Sequence, residues 1–299
     1  MRPDTAVETW RPRWYTHRYN RVKFYRVAAA VTRLPRALRL RIAAAVGRMA
    51  AHGMPRERAV ARKTLGIVTG ASDRRLDALT ARLFAEYAIC FSDLLAADRQ
   101  PLDRLVNGAG VVTGVGHVEN LCGAVVSVTA HVGNWDMAGR LLAGVSRRPT
   151  NVVVAVDEAA GLERWLRRDG DGVRFVSRAH PTVSLTLLAA LRRGEAVAMQ
   201  GDRALGNGRD VLVPFFGMPA PFPIGPFRLA SAARAPVVAA FCTLGPDRRY
   251  EMTVCPPLVI SPGSEEDTLR TWVGRLESLV RERPTQWFNF FDVWNPSDT

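Results

Sequence analysis

The sequence predicts an α/β fold: a central, mostly parallel mixed sheet flanked by helices, with a basic helical N-terminal arm in front of it. Three observations carry this expectation. From residue 111 onward, short β-rich runs alternate with helical stretches and glycines, the texture of strands joined by helical crossovers. One of those runs, VVSVTA at 125–130, is apolar almost throughout, as expected of a central strand covered on both faces. Finally, the whole formal net charge of +13 falls within residues 1–63, where fourteen Arg and two Lys meet only Asp4, Glu8 and Glu57.

The arm, taken as residues 1–70, interleaves its basic residues with Trp10, Trp14, Tyr15, Tyr19, Phe24 and Tyr25. Such a basic, aromatic, partly helical segment suits the anionic surface of a bilayer, where Lys and Arg are attracted and aromatic rings settle at headgroup depth. The same features suit the phosphates of nucleic acid, or a plain solvated Arg-rich face. The most apolar early stretch, Val27 to Ala51, is interrupted by Arg33, Arg36, Arg39, Arg41 and Arg48. A membrane-spanning helix needs roughly 20 mostly uncharged residues, so none is expected. No cleavable secretory signal is visible either. Cys90, Cys122, Cys242 and Cys255 stand far apart without a CxxC pair or a partnered histidine; no metal is expected, and the usage fits a reducing cytoplasm.

Residues 71–299 form the expected α/β domain. Its first element is a helix from Ser72 to Ala97, where Leu76, Leu79, Leu83, Tyr87, Phe91 and Leu94 recur at helical spacing and Ser72 stands at the cap. Strands follow at Val111–Val115, Ala124–Thr129, Val152–Val156, Val173–Val176, Ala196–Gln200, Val211–Phe216 and Pro236–Thr243. The Pro-rich run PFFGMPAPFPIGP reads as a constrained loop rather than regular structure.

Two polar clusters follow two apolar strands: VVSVTA leads into HVGNWD, and EAVAMQ into GDRALGNGRD. Ligands of open α/β sheets gather at such carboxyl ends. His131 and Asp136 are separated by four residues, which places the histidine on the strand-to-helix turn and the carboxylate in the helix's first turn. From there Asp136 would fix the imidazole's tautomer and leave the other nitrogen to take a proton from a hydroxyl. The spacing alone is a weak signal, since His52 and Glu57 repeat it in the arm with no apolar strand feeding them. The bland readings are a histidine satisfied by a backbone group and a first-turn acid complementing the helix dipole. Asn134 and Gly133 are placed to shape an oxyanion pocket, or, for Asn134, to cap the helix. Trp287, Phe288, Phe290, Phe291 and Trp294 are expected mostly in the core.

VVSVTAHVGNWDMAG resembles the catalytic motif of the lysophospholipid acyltransferase superfamily, in the branch of lipid A late acyltransferases and phosphatidylinositol mannoside acyltransferases. LRRGEAVAMQGDR resembles that branch's second block and VLVPFFGMPAPFPIGPFRLA its third, so that the likeness runs from about Val111 to Trp294. Members often carry a membrane-spanning N-terminal helix, from which this chain departs. The resemblance implies O-acyl transfer of the HX4D type, with His131 as base, Asp136 as its partner, and no covalent acyl-enzyme, in keeping with the lack of a GxSxG elbow. Arg178, Asp202 and Arg203 fall where the family places polar residues for binding and ordering the site, and Asp157 matches a further family carboxylate. Arginine suits phosphates of a lipid headgroup or of a phosphopantetheine donor. Acyl-CoA or acyl carrier protein is the implied donor and a lipid or glycolipid the acceptor, with no bound cofactor. The expected location is peripheral, on the cytoplasmic face of the inner membrane, with no nucleic-acid partner. The competing readings are a hydrolase using the same base on water, and a noncatalytic membrane- or nucleic-acid-binding module.

Overall fold

The computed structural model describes residues 27–28, 30–97, 110–154, 172–206 and 208–295. Among these, helical residues at 27–28 and 30–31 are followed by three helices, α1 (Arg36–Gly53), α2 (Pro55–Thr69) and α3 (Asp73–Ala97). They are followed by β1 (Val111–Thr113), the short α4 (Gly116–Glu119), β2 (Val125–Thr129), α5 (Trp135–Ser146), β3 (Thr150–Val154) and β4 (Val173–Ser177). The chain continues with α6 (Val183–Arg192), β5 (Ala196–Gln200), β6 (Asp210–Phe215), β7 (Met218–Pro223), α7 (Gly225–Ala233), β8 (Val237–Leu244), β9 (Tyr250–Val254) and α8 (Glu265–Glu282). A 3-10 turn at Pro284–Gln286 closes the series. No helix among the described residues is long and apolar enough to cross a membrane.

Seven strands form one mixed sheet in the order β1-β9-β8-β2-β5-β3-β4. The five from β8 to β4 are parallel. β9 returns antiparallel on β8, and β1 lies parallel to β9. β2 sits centrally between β5 and β8, and its first four residues are buried, as its unbroken apolar run demands.

Alternation along the central strands sorts two cores onto the two faces of the sheet. Val125, Val238, Ala240 and Cys242 face a core shared with α1, α2, α3 and α5, while Val126, Val128, Ala239 and Phe241 face one shared with α6, α7, α8 and the β6–β7 hairpin. Leu40, Ala44, Ala51, Ala61 and Leu65 of the basic stretch belong to the first core. Packing therefore runs across the expected boundary at residue 70, where Gly70 in the left-handed conformation (φ 63) ends α2. The part of the arm before residue 27 lies outside the described residues.

Two strands, β7 and β9, were not foreseen, whereas β6 matches the strand expected at Val211–Phe216. The Pro-rich run is a hairpin rather than a loop: β6 and β7 pair antiparallel, with Leu212 opposite Pro221, Pro214 opposite Pro219 and Asp210 opposite Pro223. All four prolines share one phase of the ladder, so the missing N–H groups fall on positions that point away from the partner strand. Phe216 (φ 50) and Gly217 (φ 78) form the two-residue turn, with both residues at positive φ as a type I′ turn requires. The other strand, β9, is five residues long and is defined by its pairing with β8. At the start of α3, the Ser72 hydroxyl lies 3.1 Å from the Asp73 carboxylate and donates to it, while its carbonyl accepts from Leu76.

Gly47 lets α1 cross α3 closely. A Cβ there would meet the Phe84 carbonyl and lie 2.9 Å from both Ala85 Cα and Ala88 Cβ. Gly47→Leu is expected to cost about 1–3 kcal/mol through overpacking, seen as a lower urea midpoint. Gly66→Ala, whose Cβ would make an ordinary 3.6 Å contact with Leu76, is expected to add up to about 1 kcal/mol of stability, seen as a higher midpoint.

Candidate active site

The register of two parallel strands assembles the site. Thr129 of β2 lies beside Gln200 of β5, and the Gly201 N–H donates to the Thr129 carbonyl at 2.9 Å. Two residues beyond each strand, the chain carries His131 and Asp202 side by side. Gly201 is required between them: a Cβ would come within 2.6 Å of Val128 Cγ1 and 3.0 Å of the Trp272 ring.

Asp202, 1% exposed, accepts three hydrogen bonds. Its Oδ1 lies 2.7 Å from His131 Nδ1, and its Oδ2 accepts from the His131 backbone N–H at 2.9 Å and from Trp287 Nε1 at 3.1 Å. With the carboxylate ionised, the proton of a neutral imidazole sits on Nδ1 and the lone pair on Nε2. The Trp135 ring packs against the imidazole, centroids 4.9 Å apart. Burial lowers the His131 pKa from 6.5, and the nearby Arg203 charge lowers it further, against the pull of Asp202 and Asp136. Burial would raise the Asp202 pKa, but the charge and hydrogen bonds of His131, with Arg203, hold it at about 2. The pair is thus a neutral base on an ionised carboxylate at neutral pH.

The carboxylate on Nδ1 is Asp202, where the reading of the HxxxxD spacing put Asp136. Asp136 lies in the first turn of α5 and acts on His131 through its charge. It also lines a narrow cleft between α5 and the ends of β2, β3 and β5, with Thr129, Trp135, Val153, Met199 and Gln200. The half-buried Arg203 stacks its guanidinium 5.2 Å from the Phe291 ring centroid and donates to the Phe288 carbonyl at 3.5 Å. Arg178 is exposed just past the end of β4, three strands from β2, or about 14 Å across the sheet at ordinary strand spacing. Asp157 lies outside the described residues.

Asn134 and Gly133 do not supply the expected oxyanion donors. The Asn134 amide nitrogen donates to the Cys90 carbonyl at 3.0 Å and the Tyr250 hydroxyl at 3.2 Å. Its backbone N–H donates to Cys242, and that of Gly133 to Gln286, each at 2.8 Å. Gly133 itself, at φ 59, lets the turn press on β8: a Cβ would lie 2.8 Å from Thr243 Cα.

Behind this turn runs a buried polar chain that the sequence did not reveal. Tyr250 donates to Asp93 at 3.1 Å, and Asp93 also pairs with Arg39 and Arg36, each at 2.7 Å. Trp287 was expected in the core; it is buried, and its indole N–H is in addition spent on Asp202. Sequence distance hides both arrangements, since 157 residues separate Tyr250 from Asp93 and 85 separate Trp287 from Asp202.

A family model described as bacterial lipid A biosynthesis acyltransferase matches residues 16–295. Two curated relatives, both called phosphatidylinositol mannoside acyltransferase and both from Mycobacterium tuberculosis, strains CDC 1551 / Oshkosh and ATCC 25618 / H37Rv, are each 26% identical over 201 residues. The alignment covers 64% of this chain and 60% of each relative, so the chain matches less than two thirds of the relatives' length.

Two stability outcomes follow from the site. His131, held neutral by burial, refuses a proton that the unfolded chain accepts near pH 6.5, and the Asp202 carboxylate resists protonation down to about pH 2 where the unfolded group titrates near 3.8. Urea unfolding across pH is therefore expected to show stability falling as pH drops below about 6.5, with a further loss between about 4 and 2. Tyr250→Phe, which leaves the buried Asp93 and the Asn134 amide each short of a partner, is expected to cost about 1–3 kcal/mol in the same assay.

Proposed function

The chain belongs to the bacterial lipid A biosynthesis acyltransferase family, and from that premise we propose that it transfers a fatty acyl group from an acyl thioester to a hydroxyl of a lipid or glycolipid acceptor. The observation that carries this reading is the buried hydrogen bond from His131 Nδ1 to Asp202, which leaves Nε2 as a neutral base at the end of a central strand. Nε2 takes the proton of the acceptor hydroxyl as its oxygen attacks the thioester carbonyl. The tetrahedral intermediate collapses with cleavage of the C–S bond, and the departing thiolate takes the proton back from the imidazolium. Asp202 holds the tautomer and, with the charge of Asp136, stabilises the imidazolium formed in transit. Arg203, and Arg178 farther along the sheet edge, suit phosphates of the donor or of the acceptor headgroup.

A glycolipid is the acceptor class that the relatives' name supports. Acyl-CoA and acyl carrier protein are both suitable donors, since each presents a thioester on a phosphorylated carrier. With its acceptor in a bilayer, the protein works as a peripheral enzyme, on the cytoplasmic face where such donors are made.

The test incubates purified protein with radiolabelled acyl-CoA or acyl carrier protein and bacterial membrane lipids. Labelled lipid is expected with wild type, with a loss of about 10²–10⁴-fold in His131→Ala and a large loss in Asp202→Ala. Label released only as free fatty acid would make the protein a hydrolase, and label transfer indifferent to His131→Ala would end the catalytic reading. The pH dependence of kcat/KM is expected to fall on an acid limb below pH 6.5, because burial and Arg203 lower the His131 pKa. Asp202→Asn removes a charge that raises it, so whatever activity that variant retains is expected to persist to a lower pH than in wild type.

A further inference from the structure

α1 is apolar on two opposite sides. One side, with Leu40, Ala44, Gly47 and Ala51, is buried, and Leu40, Ala44 and Ala51 belong to the core shared with α3. The other presents Leu38 (47% exposed), Ile42 (37%), Val46 (41%) and Met49 (64%) to the outside. At 100° per residue these four, with the exposed Ala45 between them, form a continuous stripe along the helix. Leu34, just before α1, extends it and is 38% exposed. Isolated apolar residues on a surface need no explanation, but a stripe along one helix does.

The charge beside the stripe says what it meets. Arg41 and Arg48 are exposed along one flank and Arg33 at its leading end. No acidic residue occurs between Glu8 and Glu57, so nothing along this length repels an anionic surface. A second copy of the same helix would set these arginines against their own kind. An apolar stripe edged by arginine is the pattern of a helix lying in the plane of an anionic bilayer, with its apolar residues at the acyl boundary and its cations among the headgroups.

We infer that the outer face of α1, through Leu38, Ile42, Val46 and Met49 with Arg41 and Arg48, docks this protein on an anionic lipid bilayer. The inference draws on the function proposed above only in that a lipid acceptor resides in a bilayer. The docked helix is joined to the catalytic turn: Arg39 on its inner side pairs with Asp93, which accepts from Tyr250, which accepts from Asn134. Docking therefore fixes the position of the His131 turn relative to the lipid surface.

The experiment is flotation of the full chain with vesicles of phosphatidylcholine alone or with 30 mol% phosphatidylglycerol, at low and at high salt. Wild type is expected to float with the anionic vesicles and to be released at least about tenfold by salt, since the cations are exposed. Ile42→Glu/Met49→Glu and, separately, Arg41→Glu/Arg48→Glu are expected to reduce flotation at least about tenfold while their unfolding midpoints stay at the wild-type value. Val259→Glu, at an apolar position 86% exposed outside α1, serves as the control and is expected to float like wild type. Flotation unchanged in both double variants would overturn the proposal, as would a wild-type dimer in light scattering that the Glu variants dissolve without any vesicle binding. Acyl transfer to a detergent-dispersed acceptor separates this idea from the catalytic one. Variants that no longer float yet still transfer support the docking face, whereas a wild type that floats but transfers nothing leaves docking standing and removes the catalytic reading.

Discussion

The structure around the site depends on one carboxylate. Asp202 accepts hydrogen bonds from the His131 ring, the His131 backbone and the Trp287 indole, and so ties the end of β2, the end of β5 and the C-terminal segment at a single buried point. A buried carboxylate without partners would be driven to its neutral form. Here three donors, with Arg203 nearby, hold it ionised, its pKa at about 2 despite burial. The same bonds set the imidazole's orientation and tautomer. Fixing the fold and preparing the base are therefore one physical event, with the C-terminal segment as a full participant: Phe288 N–H donates to the His131 carbonyl and Gly133 N–H to that of Gln286.

A second polar cluster stands behind the turn. Asp93 meets Arg36, Arg39 and Tyr250, and Tyr250 passes the contact on to Asn134. A buried ion pair is not in itself a large source of stability, because desolvation offsets much of the attraction. Its directional bonds nevertheless specify one arrangement of α1, α3 and β9 around the motif. The basic N-terminal stretch is consequently divided in its physics: from residue 36 on, its inner surface is core and its outer surface is open.

Much of the architecture was legible along the chain. β2 and β5 announced themselves as unbroken apolar runs, and Leu76, Leu83 and Leu94 marked α3 by period. β6 was read as a strand at Val211–Phe216, but its partner β7 was not legible, because proline counts against a strand unless its missing N–H points outward, and that direction exists only once a partner strand is paired. β9 escaped for a related reason: a five-residue strand is defined by its ladder more than by its sequence. In the site, His131 was singled out from the polar end of a strand, and Asp202 and Arg203 through the family resemblance, yet the pairing was assigned to the carboxylate nearest in sequence. Asn134 was offered two roles at the turn; it stands at the cap position just before α5, where its carbonyl accepts from the Ala138 N–H, while its amide is spent on Cys90 and Tyr250 rather than on an oxyanion.

The sequence by itself determined where the polar residues emerge: each follows directly on an apolar strand, and strand direction alone sends both to the same edge of a parallel sheet. It also determined the charge asymmetry and the lack of a described helix fit to span a membrane. Only the tertiary structure decided which carboxylate serves the histidine. Helical spacing puts Asp136 close to His131 along the chain, but the parallel register of β2 and β5 brings Asp202 to 2.7 Å from Nδ1. Hydrogen bonds depend on distance and direction in space, and those are properties of the packed sheet that no separation along the chain encodes.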